Sequence, residues 1–286
     1  MSRIHDALRR AEQAQPDADA LAAESNRVAP VSNGRIFSEQ TELQPYLTPD
    51  MLGEVIEIPF SPAPESHLID AERPHETPGE EFRTLRTRLN HLQSLQPLHS
   101  IIVSSPSPAE GKTFTTVNLA LAESHLRENK VLLGDFDLRR PMIHTLFQID
   151  RAPGLSDYLL GDVSFPQALR KIAGSNLYFL PAGSPVKNPL ELLNLRQAKA
   201  LFEQMPAIFN WAIFDTPPLL FSADANLLAT MADGTILVVR IGSTTYDSVT
   251  RAIGSLCENN VLGIVANGAR ASELYSKYTY YYARTE

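Results

Sequence analysis

Three stretches of this chain carry residues that can handle a nucleotide. In "SSPSPAEGKTFTTVNLA", Gly111, Lys112 and Thr113 stand between an apolar strand-like run and a helical one. Backbone N–H groups of such a turn, with the positive end of the following helix, bind polyphosphate. The lysine would bring a compact charge to the β/γ-phosphates and the threonine a hydroxyl to Mg²⁺. Pro106 occupies the position of the first glycine in the G-x-x-x-x-G-K-[ST] pattern. The triplet alone occurs by chance, but the strand–loop–helix setting is the one the chemistry requires. In "KVLLGDFDLRRP", Asp135 and Asp137 sit at the carboxyl end of an apolar run, where open α/β sheets place their ligands. "WAIFDTPPLL" ends its strand on Asp215, suited to a Walker B carboxylate that orients Mg²⁺ or its water. A capped turn would explain either acidic stretch alone. Together the three make a nucleotide–Mg²⁺ site the best explanation.

Positioning these groups takes a sheet. Strand-like runs recur at "SIIVSSP", "KVLLGDFD", "NLYFLPAG", "WAIFDTPP", "GTILVVRIG" and "VLGIVANGA", with helical segments near 113–127, 189–204, 222–231 and 245–259 between them. Continuous Val/Ile/Leu runs without polar alternation predict an α/β fold with a mainly parallel sheet covered by helices on both faces. Ahead of the sheet, Thr77 and Glu80 have capping-box spacing with Pro78 at the first helical position, and Phe82, Leu85, Leu89 and Leu92 form one stripe. Glu80, Arg83 and Arg86 lie three apart, off that stripe.

Composition divides the chain further. Residues 1–15 read as a short amphipathic helix, and 16–75, rich in Pro, Ser and acidic residues, as a largely disordered linker in which "MLGEVIEIPF" is a candidate strand. The sheet-forming domain then spans 76–269 and a flexible tail 270–286. That tail holds five of the nine tyrosines: Tyr275, Tyr278, Tyr280, Tyr281 and Tyr282. The 286 residues carry a net charge of −8, which argues against a nucleic-acid partner. A single cysteine, Cys257, excludes an internal disulfide and fits a reducing cytosol. No apolar run reaches bilayer-spanning length.

The loop "PAEGKT", "DFDLRRP", "DTPP", "GLSDYL", "AGSPVKNPLELL", "LGIVANGA" and the terminal tyrosines, in that order, resemble the bacterial tyrosine kinases that control capsule and exopolysaccharide synthesis. The resemblance runs from about Thr77 to Tyr282. It implies a P-loop NTPase fold of the MinD/ParA-like type and ATP-dependent autophosphorylation of the tail tyrosines, in trans within a ring. It also implies ATP and Mg²⁺ as cofactors. Ala109, Glu110, Gly111, Lys112, Thr113 and Phe114 would cradle ATP, with Asn267 near adenine. Thr113, Asp137 and Asp215 would serve the metal, Lys112 the phosphates, and Asp135 or Asp137 would take the tyrosine proton, with Asp135 preferred. Glu80, Arg83 and Arg86 match an E-x-x-R-x-x-R element associated with ring assembly. The implied partners are a transmembrane polysaccharide co-polymerase or adaptor whose cytoplasmic tail activates the kinase, copies of the chain itself, and a cognate tyrosine phosphatase. The expected location is the cytoplasm, at the inner face of the cell membrane.

Two residues depart from the pattern. Ala109 replaces a glycine, so its Cβ can hinder approach to phosphate or strain a positive φ. Gly134 replaces an aliphatic residue and is expected to loosen the end of its strand. The rival readings are a MinD/ParA-like ATPase, which usually carries an extra loop lysine not found here, and a weakly active nucleotide-binding regulator of polysaccharide assembly.

Overall fold

The computed structural model describes residues 46–62, 66, 68–69, 78–256 and 261–269. Eight strands form one sheet in the order β1-β4-β5-β3-β6-β2-β7-β8. They are β1 (Ile56–Ile58), β2 (Ser100–Ser104), β3 (Val131–Asp135), β4 (Arg170–Ile172), β5 (Leu177–Leu180), β6 (Trp211–Asp215), β7 (Gly234–Arg240) and β8 (Val261–Asn267). Every pairing is parallel except β4 with β5. All five residues of β2, β3 and β6 are buried. Because successive side chains point to opposite faces, both faces of the central sheet are covered.

The six apolar runs all became strands. The longer helices are α1 (Gly79–Leu95), α2 (Lys112–Ser124), α3 (Arg196–Gln204), α4 (Ala223–Ala229) and α5 (Tyr246–Ser255). The continuous helix expected over 189–204 is broken: Pro189–Leu193 is a separate short helix, and α3 restarts at Arg196 after an extended Leu195. Pro78 stands just ahead of α1 as its cap residue, not at its first helical position, and gives no side-chain cap bond. Thr77 lies outside the described residues. Phe82 and Leu89 carry the α1 stripe into the core. Phe82 meets Phe114 of α2 edge-on at 5.9 Å.

Within the expected linker, the candidate strand "MLGEVIEIPF" does form one, and residues 46–62 pack onto the sheet domain. "VIEIPF" supplies β1, which pairs in parallel with β4, and Leu47, Leu52 and Val55 are buried. The Leu47 N–H donates to Gln204 Oε1 at 2.7 Å, and the Ile69 N–H to Asn118 Oδ1 of α2 at 2.8 Å. These apolar residues recruit their segment to the sheet despite the prolines around them. The amphipathic helix at 1–15, Cys257 and the tail tyrosines lie outside the described residues.

Candidate functional site

The site forms where three adjacent strands end together. Register places Asp135 of β3 beside Asp215 of β6, and Asp215 beside Val103 of β2. Beyond Ser104 the chain turns through 105–111 and enters α2 at Lys112. Gly111 has φ 98°, and a Cβ there would collide with the Asn267 amide. Only glycine fits that position. Ala109 holds φ 62°, the strained left-handed conformation anticipated from its replacing a glycine, at a cost on the order of 1 kcal/mol.

Lys112 leads from the loop to the carboxylates. Its Nζ lies 3.0 Å from Asp137 Oδ2, 3.4 Å from Asp215 Oδ2 and 3.3 Å from Thr113 Oγ1. Thr113 donates its hydroxyl to Asp215 Oδ2 at 2.6 Å. Thr116, unnoticed in the sequence, bonds Asp215 Oδ1 at 3.4 Å. Burial alone would lower the Lys112 pKa, but Asp215 and Asp137 outweigh it and hold the ammonium above its ordinary value. Burial raises the Asp215 pKa, while Lys112 and Thr113 oppose the rise.

Asp135 and Asp137 have different surroundings. Asp137 also accepts the Arg140 N–H at 3.0 Å. Asp135 is fully buried, and its Oδ2 accepts the N–H groups of Met142 and Ile143, each at 3.1 Å. The other oxygen, Oδ1, is buried without a partner among the described residues. Burial, then the charge of Asp215, push the Asp135 pKa well above the usual carboxylate range. The strand ends at Asp135, so the two acids split, one anchoring the following turn and one meeting the lysine.

These donors fit Mg²⁺ and a nucleotide. No cluster of three His, Cys, Asp or Glu ligands occurs among the described residues. The Thr113 hydroxyl with the carboxylates of Asp137 and Asp215 is instead the sparse oxygen set that suits a Mg²⁺ keeping its waters and substrate phosphates.

The other expected site residues are placed as follows. Glu110 is buried, and its Oε2 accepts the Ser107 N–H at 2.9 Å. Asn267 donates from Nδ2 to the Glu110 carbonyl at 3.0 Å, so its amide touches the loop directly. Phe114 faces α1 through Phe82. Glu80 and Arg83 form an exposed ion pair. Arg86 instead turns inward, its Nη1 donating to the Ala122 carbonyl of α2 at 2.8 Å. Arg139 makes a two-point pair with buried Asp224 of α4, at 2.7 and 3.1 Å, and so holds the loop after β3. Sequence reading missed Arg240 and Thr244. Thr244 donates to Glu110 Oε1 at 2.6 Å from 134 residues away, and no local pattern signals such a contact.

No family model matches the chain. Among curated proteins it is similar to the tyrosine-protein kinase YwqD of Bacillus subtilis, 35% identical over 219 residues, covering 76% of this chain and 92% of that one. It is 31% identical over 215 residues to the tyrosine-protein kinase etk of Escherichia coli, covering 73% of this chain but 29% of that longer protein. The solved kinase domain of Escherichia coli ETK superposes with TM-score 0.67 at 27% identity, covering 79% of this chain and 95% of that domain.

Proposed function

The chain belongs to the bacterial tyrosine-kinase family, and from that premise we propose that it is an ATP-dependent protein tyrosine autokinase. It phosphorylates Tyr275, Tyr278, Tyr280, Tyr281 and Tyr282 of a neighbouring copy within a ring. The observation that carries this reading is the convergence of Lys112, Thr113, Asp137 and Asp215 on one point, at distances of 2.6 to 3.4 Å.

A tyrosine hydroxyl has a pKa of about 10 and is a poor nucleophile at neutral pH. Transfer therefore needs in-line positioning, stabilisation of charge on the moving phosphoryl group, and a proton acceptor. Gly111 and the N-terminus of α2 present N–H groups to the phosphates of ATP. Lys112 exchanges its carboxylates for phosphate oxygens. Thr113, Asp137 and Asp215 would hold Mg²⁺, which supplies charge neutralisation at the phosphates. The tyrosine oxygen bonds to the γ-phosphorus as the bond from that phosphorus to the ADP oxygen breaks, and the phenolic proton passes to a carboxylate. We assign that role to Asp135, whose Oδ1 is buried at the strand end without a partner among the described residues.

In the cell the kinase would act at the inner face of the membrane. A transmembrane polysaccharide co-polymerase or adaptor would recruit and activate it, and a tyrosine phosphatase would reset it. Through the phosphorylation state of its tail it would regulate exopolysaccharide or capsule polymerisation and export. A weakly active regulator is the second reading, favoured by the strained φ of Ala109.

The test is incubation of purified protein with Mg·ATP, with and without an adaptor peptide, followed by mapping of phosphotyrosine. Label is expected on the tail of the wild type and to be absent from Lys112→Met. Changing the five tail tyrosines to phenylalanine should remove most label while ATP binding persists. Label retained at other sites would move the acceptors elsewhere, and an unlabelled wild type that binds ATP would favour the regulator.

A further inference from the structure

The phosphate loop is braced from β7, the turn that follows it and the end of β8. Arg240, the last residue of β7, donates from Nη1 to the carbonyl of Ala109 at 3.3 Å. Its own N–H donates to Thr244 Oγ1 at 2.8 Å. That hydroxyl in turn donates to Glu110 Oε1 at 2.6 Å. Asn267, at the end of β8, closes the group on the Glu110 carbonyl, and its own backbone carbonyl accepts the Ile241 N–H at 2.9 Å. The braced residues are Glu110 and the one strained non-glycine position of the loop, Ala109 at φ 62°.

We propose that Thr244, seated by Arg240, is a positioning residue for nucleotide binding that keeps Ala109 in the left-handed conformation through Glu110. The inference rests on the loop being the nucleotide site and deepens that reading. A glycine at 109 would take this conformation without strain, because it lacks a Cβ. An alanine relaxes toward negative φ unless its neighbours fix it, and relaxation would turn the loop N–H groups away from phosphate. Glu110 is the natural handle. A buried carboxylate that loses a hydroxyl donor is left with an unmet acceptor, and the loop must move to satisfy it. Substitution of Thr244 therefore acts on ATP without touching it, and acts most where residue 109 is strained.

The experiment measures binding of the fluorescent nucleotide mant-ADP with Mg²⁺ to the full chain. The variants are Thr244→Val, Thr244→Ser, Ala109→Gly and the pair Ala109→Gly with Thr244→Val. Thr244→Val is expected to weaken binding about tenfold, as loss of a hydrogen bond to a charged group does. Thr244→Ser, which keeps the hydroxyl, should bind like the wild type. With glycine at 109 the cost of valine should shrink to about threefold or less, since a coupled pair departs from additivity. An equal loss in both backgrounds marks a merely structural threonine and overturns the proposal, as does wild-type affinity in Thr244→Val. Wild-type protein that binds no mant-ADP, like Lys112→Met, would instead overturn the nucleotide reading beneath it.

Discussion

Glu123 sits at the far end of α2 from the phosphate loop and has no part in the proposed chemistry. It is fully buried, accepting from Asn90 Nδ2 at 3.1 and 3.3 Å and from Asn129 Nδ2 at 3.2 Å. Burial raises its pKa from an ordinary 4.5 to about 7, against the opposing pull of Asn90, Arg86 and Asn129. The folded protein thus holds the proton more tightly than the unfolded one. The stability this contributes is complete below the unfolded value near 4.5 and is lost as pH rises to about 7. Glu123→Gln keeps an acceptor and removes the charge. It should raise stability at pH 8 by on the order of 2 kcal/mol and flatten the stability profile between pH 4.5 and 7. Urea unfolding of both proteins across that range checks it, and parallel profiles would show that Glu123 is already relaxed in water. None of this was legible in "NLALAES", where a glutamate near a helix end reads as a solvated charge. That Lys112, Thr113, Asp137 and Asp215 meet was legible because all of them fall where successive strands end beside one loop. Strand alternation already separated Asp135 from Asp137; which of them anchors the turn was not legible, since it depends on where β3 stops.

At the scale of the element, Gly134 shows a departure absorbed by its surroundings. Its position in β3 was expected to loosen the strand, yet β3 is buried throughout and its register with β6 runs unbroken from Val131 to Asp135. A Cβ at Gly134 would come within 2.7 Å of both Phe136 Cε2 and Phe214 Cδ1. Those rings lie 4.5 Å apart by centroid, and Phe202 of α3 packs on both, at 5.6 and 4.9 Å. Aromatic volume from β6 and α3 fills the place of an aliphatic side chain. Gly134→Val should therefore overpack the cluster and cost about 1–3 kcal/mol. Phe214→Leu introduced alongside it should recover part of the loss, measurable as a shift in thermal midpoint. A Gly134→Val protein as stable as the wild type would mean that the rings can turn aside. The long apolar strands were readable because burial on both faces demands continuous Val, Ile and Leu. β4, with its sequence Arg-Lys-Ile, was not readable. Three residues at the sheet margin carry no period, and only pairing with β1 and β5 makes them a strand.

At the scale of the whole molecule, the proposed reaction requires that a tyrosine be delivered to the pocket. The tail tyrosines lie outside the described residues, so their use is argued from reach and charge. A dozen residues beyond Asn267 span at most about 40 Å, which suffices to enter a neighbour's site. Chains assembled side by side would present the tail at an effective concentration on the order of millimolar, so little sequence recognition is needed. Each phosphate adds about −1.5 to −2 charges. Five would roughly double the net charge of −8 on every chain, with all the new charge on one short segment. Repulsion among such tails, and between tail and acidic surface, would oppose assembly of the chains. Within α1, Arg86 donates to the Ala122 carbonyl, while Glu80 and Arg83 form an exposed ion pair, and a ring contact through this element would draw on such pairs. Exposed ion pairs are worth little and weaken with salt, so a ring held partly by them should yield to added negative charge. Lys112→Met, whose tail stays unmodified, should elute from gel filtration as a larger assembly than phosphorylated wild type at the same concentration. Raised salt should narrow the difference by loosening the unmodified ring. Equal elution volumes at low salt would show that tail charge does not govern assembly, and that any regulation by phosphorylation works through a partner.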